Sequence, residues 1–467
     1  MVPLSQETLF RLEDFTLLTA RRKNVIRSPK QSGSSDEDAL PHLEEGGWQL
    51  IHAPQEIQFQ PNTSEPIHRW SPYVQGFSAS FVQRTIERYQ KDYAFPIVLD
   101  PFAGSGTVLV QAKLNHCPSF GIELNPLLHF IASVKVNSWH LSPSKWLSIT
   151  EHLLNVSLQP SAPHSPAPAF LKSESHFNPP VLKNLEKLKA AIDRLEPTTP
   201  QDETLKNLSL LAFASILIDC SNLKRSPCLG YCRNKQVQDD APFVLFSQKC
   251  QQIAADLQKC QTLYASALNT SSVVFLGNSM NAKIPHQVDL IITSPPYMNG
   301  LDYVMNYKIE MGWLGFGQSH RELKSLKDQM VVCDNVSKGL IQGFSQTRRY
   351  SHPWIEQIKA DIQSSIERRG NYRRQDMPEI VHKYFDDMYQ VMRNVVRFLS
   401  KGGRFVLVVG DSLIADVYVP TDLILARIGE ELGLTVEKLE KARERRSGQI
   451  CSYRLRETII TLLKETE

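Results

Sequence analysis

The sequence has no apolar run that approaches the roughly 18 residues needed to cross a membrane as a helix. Its first twenty residues include Glu7, Glu13 and Asp14, and they lack the basic start and apolar centre of a signal peptide. With 42% hydrophobic and 22% charged residues, the composition is typical of a globular protein. These features predict a cytoplasmic protein with no membrane segment.

Paired cysteine motifs are also missing, although the chain contains eight cysteines. Cys228 and Cys232 lie close together, with Cys220 upstream, but no second cysteine pair or histidine pair follows at zinc spacing. Such a scatter over 467 residues is typical of reduced thiols. The sequence therefore predicts no metal site.

A strong excess of charge of either sign is absent, since the formal net charge is +3. A nucleic-acid footprint must then come from local clusters rather than from the total charge. The length of 467 residues allows two or three domains, or one enzyme fold with large insertions.

One stretch combines a buried strand with a stiff polar turn. The apolar run 289–292 reads as a strand, and Thr293-Ser294-Pro295-Pro296-Tyr297 follows it directly. Two prolines stiffen the backbone and remove two N–H donors. A small hydroxyl, nearby carbonyls and an aromatic ring then form a wall suited to a flat ring that carries an exocyclic amine.

A glycine turn lies between a second strand and a helix. The strand 97–100 ends at Asp100, the turn runs from Pro101 to Thr107, and an apolar helix covers 108–114. This order brings backbone close to a ligand at a helix N-terminus. The turn lacks GxxxxGK[ST], so it is not a triphosphate loop.

Two further strands end in polar residues. Glu123 follows the strand 119–122, about twenty residues beyond the glycines, where such folds place an acid on ribose hydroxyls. Asn278 follows the strand 272–276. Carboxyl ends of parallel strands meet at one edge of an α/β sheet, so we expect Asp100, Glu123, Asn278 and Ser294 to border one crevice.

Basic clusters offer candidate nucleic-acid contacts. The stretch 348–374 has seven Lys/Arg against three acids, with aromatic residues interleaved, which suits phosphates and bases. The loop 221–233 mixes basic, amide and aromatic groups, and 441–446 is a basic turn. A solvated surface is the alternative for all three. The candidate DNA contacts are Lys224, Arg225, Arg348, Arg349, Arg368, Arg369, Arg373 and Arg374.

The motifs DPFAGSGT and TSPPY, in this order, resemble those of the S-adenosylmethionine-dependent DNA amino-methyltransferases, and the serine of TSPPY resembles their N4-cytosine group. The resemblance runs from about Ile67 to Leu463. It implies a Rossmann-like class I methyltransferase fold, α/β with a mixed, mostly parallel seven-stranded sheet and a large helical insertion. It also implies double-stranded DNA as partner, a prokaryotic protein associated with the nucleoid, and a cognate restriction endonuclease as a candidate partner.

The resemblance assigns roles to individual residues. Ser294, Pro295, Pro296 and Tyr297 would be catalytic, with Tyr297 stacking on a flipped cytosine while Ser294 and the Pro295 carbonyl accept hydrogen bonds from its amine. No cysteine nucleophile is needed, and the pair Pro227-Cys228 follows no strand. The cofactor S-adenosylmethionine would be held by Tyr73, Phe77, Ser78, Asp100, Phe102, Gly104, Gly106, Thr107, Glu123 and Asn278.

Among these cofactor-binding residues, Asp100 would lie near the methionine part of the cofactor, Glu123 would contact its ribose and Asn278 would lie near its adenine. An acid often takes the place of Asn278, and an amide oxygen can accept the same bond. The stretch from Tyr73 to Ser78 resembles the motif that completes the methionine pocket.

The resemblance also organises the chain. We expect an N-terminal arm and linker at 1–66 and a methyltransferase catalytic domain at 67–137 and 271–467. We expect a helical insertion at 138–270 as a candidate DNA-recognition region, and a second DNA-contacting insertion at 313–380. N6-adenine methylation of DNA, N2-guanine methylation of RNA, and a catalytically silent DNA-binding subunit of a restriction or defence complex are the alternative functions.

Overall fold

The computed structural model describes residues 42–73, 76–90, 92, 94–226, 228–300, 302–333, 336–370, 372–447 and 453–465. Residues 1–41 of the predicted arm lie outside the described residues, as does Pro227. None of the described helices is long and apolar enough to span a membrane.

A central sheet of eight strands organises the described residues. Its order is β1-β11-β12-β8-β7-β2-β3-β6, and a two-stranded hairpin forms from β4 with β5 and another from β9 with β10. The strands are β1 (Leu50–His52), β2 (Val98–Asp100), β3 (Ser119–Glu123), β4 (Leu223–Arg225), β5 (Leu229–Tyr231), β6 (Ser272–Leu276), β7 (Val288–Thr293), β8 (Leu399–Gly410), β9 (Ser412–Ile414), β10 (Val417–Val419), β11 (Thr435–Ser447) and β12 (Tyr453–Leu463).

The sheet confirms the predicted fold class. Strands β2, β3, β6, β7 and β8 pair in parallel, and β12 runs antiparallel to both of its neighbours. One strand exceeds the seven that were predicted. It is β1, from within the predicted arm, and it pairs in parallel with β11 at the sheet edge, where Leu50 faces Leu439.

Helices cover both faces of the sheet. They are α1 (Ala79–Tyr89), α2 (Thr107–Leu114), α3 (Pro126–Asn137), α4 (Pro143–Leu158), α5 (Ser173–His176), α6 (Pro179–Asp193), α7 (Pro200–Ile216), α8 (Ala241–Leu263), α9 (Tyr303–Asn306), α10 (Lys308–Trp313), α11 (His320–Lys327), α12 (Lys338–Gln342), α13 (Phe344–Thr347), α14 (Pro353–Arg369), α15 (Met377–Val395) and α16 (Thr421–Glu431). Short 3-10 helices lie at Gln60–Thr63, His68–Trp70, Ala265–Ala267 and Val396–Phe398.

Strand β7 shows how the sheet separates two cores. Leu290 and Ile292 pack with α1 to α4 and α6 to α8 on one face. Ile291 packs with α14, α15 and α16 on the other. Successive side chains of a strand point to opposite faces, so an unbroken apolar run is what a doubly covered strand requires.

Residues 138–270, the predicted helical insertion, pack directly on the rest of the described chain. Asp256 of α8 is buried and accepts hydrogen bonds from the Ile67 amide at 3.1 Å, the Trp70 indole at 2.9 Å and Arg69 Nε at 3.1 Å. The Trp146 indole of α4 donates to the Cys250 carbonyl at 2.9 Å. The insertion therefore shares one hydrophobic core with the sheet.

Candidate active site

Two glycines give the turn after β2 its shape. Gly104 and Gly106 have positive φ angles of 52° and 86°. A Cβ on Gly104 would lie 2.7 Å from the Tyr73 hydroxyl, and one on Gly106 would lie 3.1 Å from the Cβ of Ala132. Neither position accepts a side chain without strain. The turn leads directly into α2, which begins at Thr107, and the Thr107 side chain is buried.

Glu123 connects this turn to the start of α3. One carboxylate oxygen accepts the Gly104 amide at 2.8 Å, and the other accepts the Asn125 amide at 2.7 Å. Burial raises the pKa of Glu123 to about 7. The Leu124 amide also donates to this carboxylate, so about one of its roughly four acceptor sites remains for a ligand hydroxyl.

Asp100 lies behind the turn, where it joins two parts of the site. Its Oδ1 accepts the Phe102 amide at 2.9 Å and the Thr293 hydroxyl at 2.7 Å. Burial raises the pKa of Asp100 to about 7. The side chain holds the glycine turn against the end of β7, and it lines neither of the two cavities described next, so its predicted place near the methionine part of a cofactor stays a prediction.

A narrow cavity of about 60 Å³ lies above the glycine turn. The segment Gln329–Val331 lies across it, and the Asn278 side chain donates to the Gln329 carbonyl at 2.8 Å. The Asn278 amide oxygen accepts the Met280 amide at 2.9 Å. The residues that line this narrow cavity are Tyr73, Pro101, Phe102, Ile122, Glu123, Leu124, Leu128, Asn278, Ser279, Ser294, Pro296, Tyr303, Gln329, Met330 and Val331.

A wide cavity of about 450 Å³ lies beside the narrow one. Tyr73, Ser294 and Tyr303 line both, so the two cavities adjoin at these side chains. The residues that line the wide cavity are Ile57, Gln58, Phe59, Gln60, Thr63, Tyr73, Gly76, Phe77, Ser294, Pro295, Tyr297, Tyr303, Val408, Arg443, Arg445 and Glu457.

The predicted polar wall follows β7 without a break. Thr293 ends the strand, Ser294 borders both cavities, Pro295 faces the wide cavity and Pro296 faces the narrow one. The Pro296 carbonyl accepts the Tyr384 hydroxyl from α15 at 3.0 Å. This bond fixes the stiff turn from behind.

Tyr297 is held on several sides. Its phenol is hydrogen-bonded to the Ser294 side chain, and burial raises its pKa well above the ordinary value. A Cβ on Gly410 would lie 2.8 Å from the ring, so the ring packs directly on backbone at the end of β8. The guanidinium carbon of Arg445 lies 5.6 Å from the ring centre.

Three tyrosines stack at the junction of the cavities. The Tyr73 ring lies 6.2 Å from Tyr303 and 6.1 Å from Tyr307. The guanidinium carbon of Arg225 lies 4.5 Å from the centre of Tyr307, and Arg225 also forms an ion pair with Glu310. The stack links the hairpin of β4 and β5 to the site.

Arg225, one of the predicted DNA contacts, is engaged within the protein. Only 9% of its side chain is exposed, against 7% for its partner Glu310. Its Nε and Nη2 also donate to the Asn306 carbonyl at 3.0 Å. The guanidinium is thus committed within the protein, whereas Lys224, beside it in β4, is exposed.

Two predicted cofactor residues also differ from expectation. Ser78 is the N-cap of α1, where its hydroxyl accepts the Phe81 amide at 3.1 Å and donates to the Glu56 carbonyl at 2.8 Å. Phe77 lines the wide cavity rather than the narrow one. Helix capping therefore accounts for the serine, while Tyr73 lies where the motif was expected.

The basic stretch 348–374 is largely engaged with acids of the protein. Arg348 pairs with Glu356 and Glu379, Arg369 with Asp416, and Arg374 with Asp376. These pairs leave less charge for a partner than the sequence suggested. Arg349, Arg368 and Arg373 are exposed, and Arg349 donates to the Gln390 side chain at 2.8 Å.

Sequence reasoning missed several residues of the wide cavity. Gln58 and Gln60 belong to the predicted arm, and Glu457 lies in β12. Arg443 and Arg445 were noted only as part of a basic turn. The residues 441–446 were predicted to form a turn, whereas the structure places them within β11, paired with β12. Among the described residues no cluster of three or more His, Cys, Asp or Glu side chains has the arrangement of a metal site.

Comparison with known proteins finds similarity to Type II methyltransferases over most of the chain. M.AvaI from Nostoc sp. is 26% identical over 402 residues, which cover 82% of this chain and 82% of the relative. M.BsoBI from Geobacillus stearothermophilus is 22% identical over 448 residues, covering 84% and 83%. M.MvaI from Kocuria varians is 20% identical over 390 residues, covering 79% and 82%. No family model matches the chain.

Proposed function

We propose that this protein is a site-specific DNA methyltransferase that transfers a methyl group from S-adenosylmethionine to the exocyclic N4 amine of a flipped cytosine. The observation that carries the proposal is the position of Ser294, which borders both cavities. A group held in the narrow cavity and a ring held in the wide one would meet at this hydroxyl.

The residues of the narrow cavity fit S-adenosylmethionine. Tyr73 and Phe102 line this cavity beside the glycine turn, and Glu123 offers a carboxylate oxygen to a ribose hydroxyl. Asn278 lines the same cavity with an amide, which suits the adenine edge. When bound, the cofactor supplies a methyl group made electrophilic by a sulfonium centre. Because the cavity is narrow, we expect Gln329–Val331 to shift outward on binding.

The wall after β7 would orient the amine. The Ser294 hydroxyl and the Pro295 carbonyl accept hydrogen bonds from its two N–H groups. These bonds turn the nitrogen lone pair out of conjugation with the ring. The Tyr297 phenol holds Ser294 in place, and the Tyr297 ring offers a stacking surface. Positioning and preorganised acceptors supply most of the rate in such a site.

The choice of cytosine rests on the serine before the two prolines, as in the N4-cytosine group that the motif resembles. The wide cavity offers room for either base, so methylation of adenine N6 is an outcome of the test below. The similarity to Type II methyltransferases supports site-specific DNA methylation and a cognate endonuclease as partner.

Recognition of the target sequence is proposed to be shared by residues 138–270 and 313–380. Lys224 and Arg368, one in each region, are exposed and suited to phosphate contact. The base-specific contacts would come from side chains near them that reach the groove edges.

The test incubates the protein with cofactor labelled in its methyl group and, in separate reactions, unmethylated genomic DNA or total RNA, then digests the nucleic acid to nucleosides. We expect label in N4-methylcytosine. Label only in N6-methyladenine would refute the cytosine assignment, and label only in RNA would refute the DNA assignment. Cofactor binding without transfer to any nucleic acid would favour the silent subunit. Sequencing the modified DNA would give the recognition site.

A matched variant tests the role of Ser294. Ser294→Ala should abolish turnover while binding of the cofactor is still detected in calorimetry. Turnover that survives this change would refute the proposed orientation of the amine.

A further inference from the structure

The cavity-facing end of β11 carries two arginines, Arg443 and Arg445, to which the proposed chemistry assigns no role. We propose that they bind the phosphodiester group adjoining the flipped nucleotide. The proposal rests on the proposed function, because it needs a nucleotide in the wide cavity.

A β-bulge turns these arginines toward the cavity. The register between β11 and β12 shifts between Lys441 and Arg443, which leaves one extra residue on β11. Leu439, before the bulge, packs in the core with α14 to α16. Arg443 and Arg445, after it, line the wide cavity on the opposite face. One inserted residue moves all following side chains to the other face, and bulges often re-aim side chains beside active sites.

The charges of this cluster suit a single anion. Glu457 lies against both arginines, accepting a hydrogen bond from Arg443 Nε and lying 3.8 Å from Arg445 Nε. The three side chains together carry one net positive charge. Arg445 Nη2 donates to the Asp411 carbonyl. Among the described residues, the polar contacts of Arg443 use Nε alone. Its fork of Nη donors therefore suits a phosphodiester, which has one negative charge and two oxygens.

The layering of the cluster also favours a ligand. The side chains of Arg443 and Arg445 are 30% and 24% exposed, while that of Glu457 is 8% exposed. The acid thus lies beneath two cations that open to the cavity. Arg445 also lies over Tyr297, the ring to which we assign the flipped base. A phosphate is only a few bonds from the base of its own nucleotide, so a base near Tyr297 brings its phosphate within reach of both arginines.

The experiment uses a duplex with the recognition site found by sequencing, in which an uncharged methylphosphonate replaces one phosphate next to the target nucleotide. We expect Arg443→Gln and Arg445→Gln each to lower kcat/KM on unmodified DNA about tenfold or more, mainly through KM. The slope of log KM against log salt should decrease by about one for each arginine. The methylphosphonate should lower kcat/KM of the wild type but cost the double variant Arg443→Gln with Arg445→Gln little more, because the double variant and the methylphosphonate remove the same contact.

Matched variants separate this role from a loss of folding. Arg454→Gln removes an arginine of β12 that is 60% exposed and outside the cavity lining, and it should change kcat/KM less than about twofold. Arg443→Lys keeps the charge and should restore the salt slope without restoring full kcat/KM. Calorimetry of cofactor binding should give wild-type affinity for every variant.

Two results would overturn the proposal. If the variants had wild-type kinetics, neither arginine would bind the phosphodiester. Losses of the double variant that add in full to those of the methylphosphonate would assign the arginines another contact, such as the base edge. In both cases methyl transfer by the wild type would leave the proposed function standing, whereas a wild type inactive on all DNA would refute that function instead.

Discussion

The Thr293 hydroxyl donates a 2.7 Å hydrogen bond to the Asp100 carboxylate, across 193 positions of sequence. Both residues are buried. Asp100 is the last residue of β2, which leads into the glycine turn, and Thr293 is the last residue of β7, which leads into the wall at Ser294. The bond thus fixes the glycine turn relative to the wall that begins at Ser294. It gives a physical reason for the threonine of TSPPY and the aspartate of DPFAGSGT.

Thr293→Val tests this link, because valine has nearly the shape of threonine without its hydroxyl. We expect the free energy of unfolding in urea to fall by about 1–3 kcal/mol, since a buried acceptor loses one donor. Cofactor affinity should also weaken, because the turn is no longer tied to β7. Thr293→Ser keeps the hydroxyl and should keep most of the stability and most of the cofactor affinity. Equal stability of the two variants would show that the bond does not hold the site together.

Gly104→Ala tests the close approach of backbone and ring in the turn. The new Cβ would meet the Tyr73 hydroxyl at 2.7 Å on a residue with φ of 52°. We expect cofactor binding to be lost in calorimetry. Gly370→Ala is the control, since Gly370 has φ of 67° but open space around it, and it should cost only about 1–2 kcal/mol of stability.

A second variant separates the clash from the backbone strain at this position. Tyr73→Phe removes the atom nearest to the new Cβ, so the double variant Gly104→Ala with Tyr73→Phe should regain part of the affinity. No recovery at all would show that backbone strain alone causes the loss.

Burial raises the pKa of Glu123 to about 7, which predicts pH-dependent cofactor affinity. The carboxyl is protonated below this pH and ionised above it, and the ionised form is the better acceptor for ribose hydroxyls. Affinity should therefore be present above pH 7 and be lost as the pH falls through 7. Since only the ionised fraction binds well, the Kd at pH 6 should be about tenfold weaker than at pH 8.

Calorimetry at pH 6, 7 and 8 measures this dependence. Glu123→Gln cannot ionise, so its Kd should be weaker and independent of pH. Asp100 also titrates near 7 but lines neither cavity. Asp100→Asn should therefore leave the dependence in place. A wild-type Kd that is constant across this range would contradict a ribose role for Glu123.

Sequence patterns were enough to predict the central strands and the strand ends that line the narrow cavity, but not β1 at the edge of the sheet. Apolar runs bounded by glycine and proline predicted β2, β3, β6 and β7 nearly to the residue, and Glu123 and Ser294 lie where strand order requires. The wide cavity was not predictable in the same way. Arg443 faces it only because of a bulge, and a one-residue change of register leaves no trace in hydrophobic periodicity.

The ion pairs within the charge clusters could not be predicted from the sequence for a related reason. Seven basic residues in 348–374 predicted a surface for an anion, but ion pairs depend on acids that are distant in sequence. Arg348 forms an ion pair with Glu379, and Arg369 forms one with Asp416. Arg225 is likewise matched by Glu310, 85 positions away. Local composition reports the charge of a segment, whereas only the fold decides which charges remain available to a partner.

Tyr297→Phe tests whether the phenol does more than provide a ring. The ring would still pack on Gly410 and still offer a stacking face, but its hydrogen bond to Ser294 would be lost. A serine freed from this bond can rotate among its rotamers, so it spends less time in the orientation that accepts the amine. We expect kcat to fall about tenfold, which corresponds to about 1.4 kcal/mol of transition-state stabilisation. Cofactor Kd should be unchanged, since Tyr297 does not line the narrow cavity.

Single-turnover measurements with labelled cofactor give the rate of transfer directly. Tyr297→Ala removes both ring and hydroxyl and should also raise KM for DNA. If Tyr297→Phe matched the wild type while Tyr297→Ala lost activity, stacking alone would account for this residue, and Ser294 would need no partner to hold it.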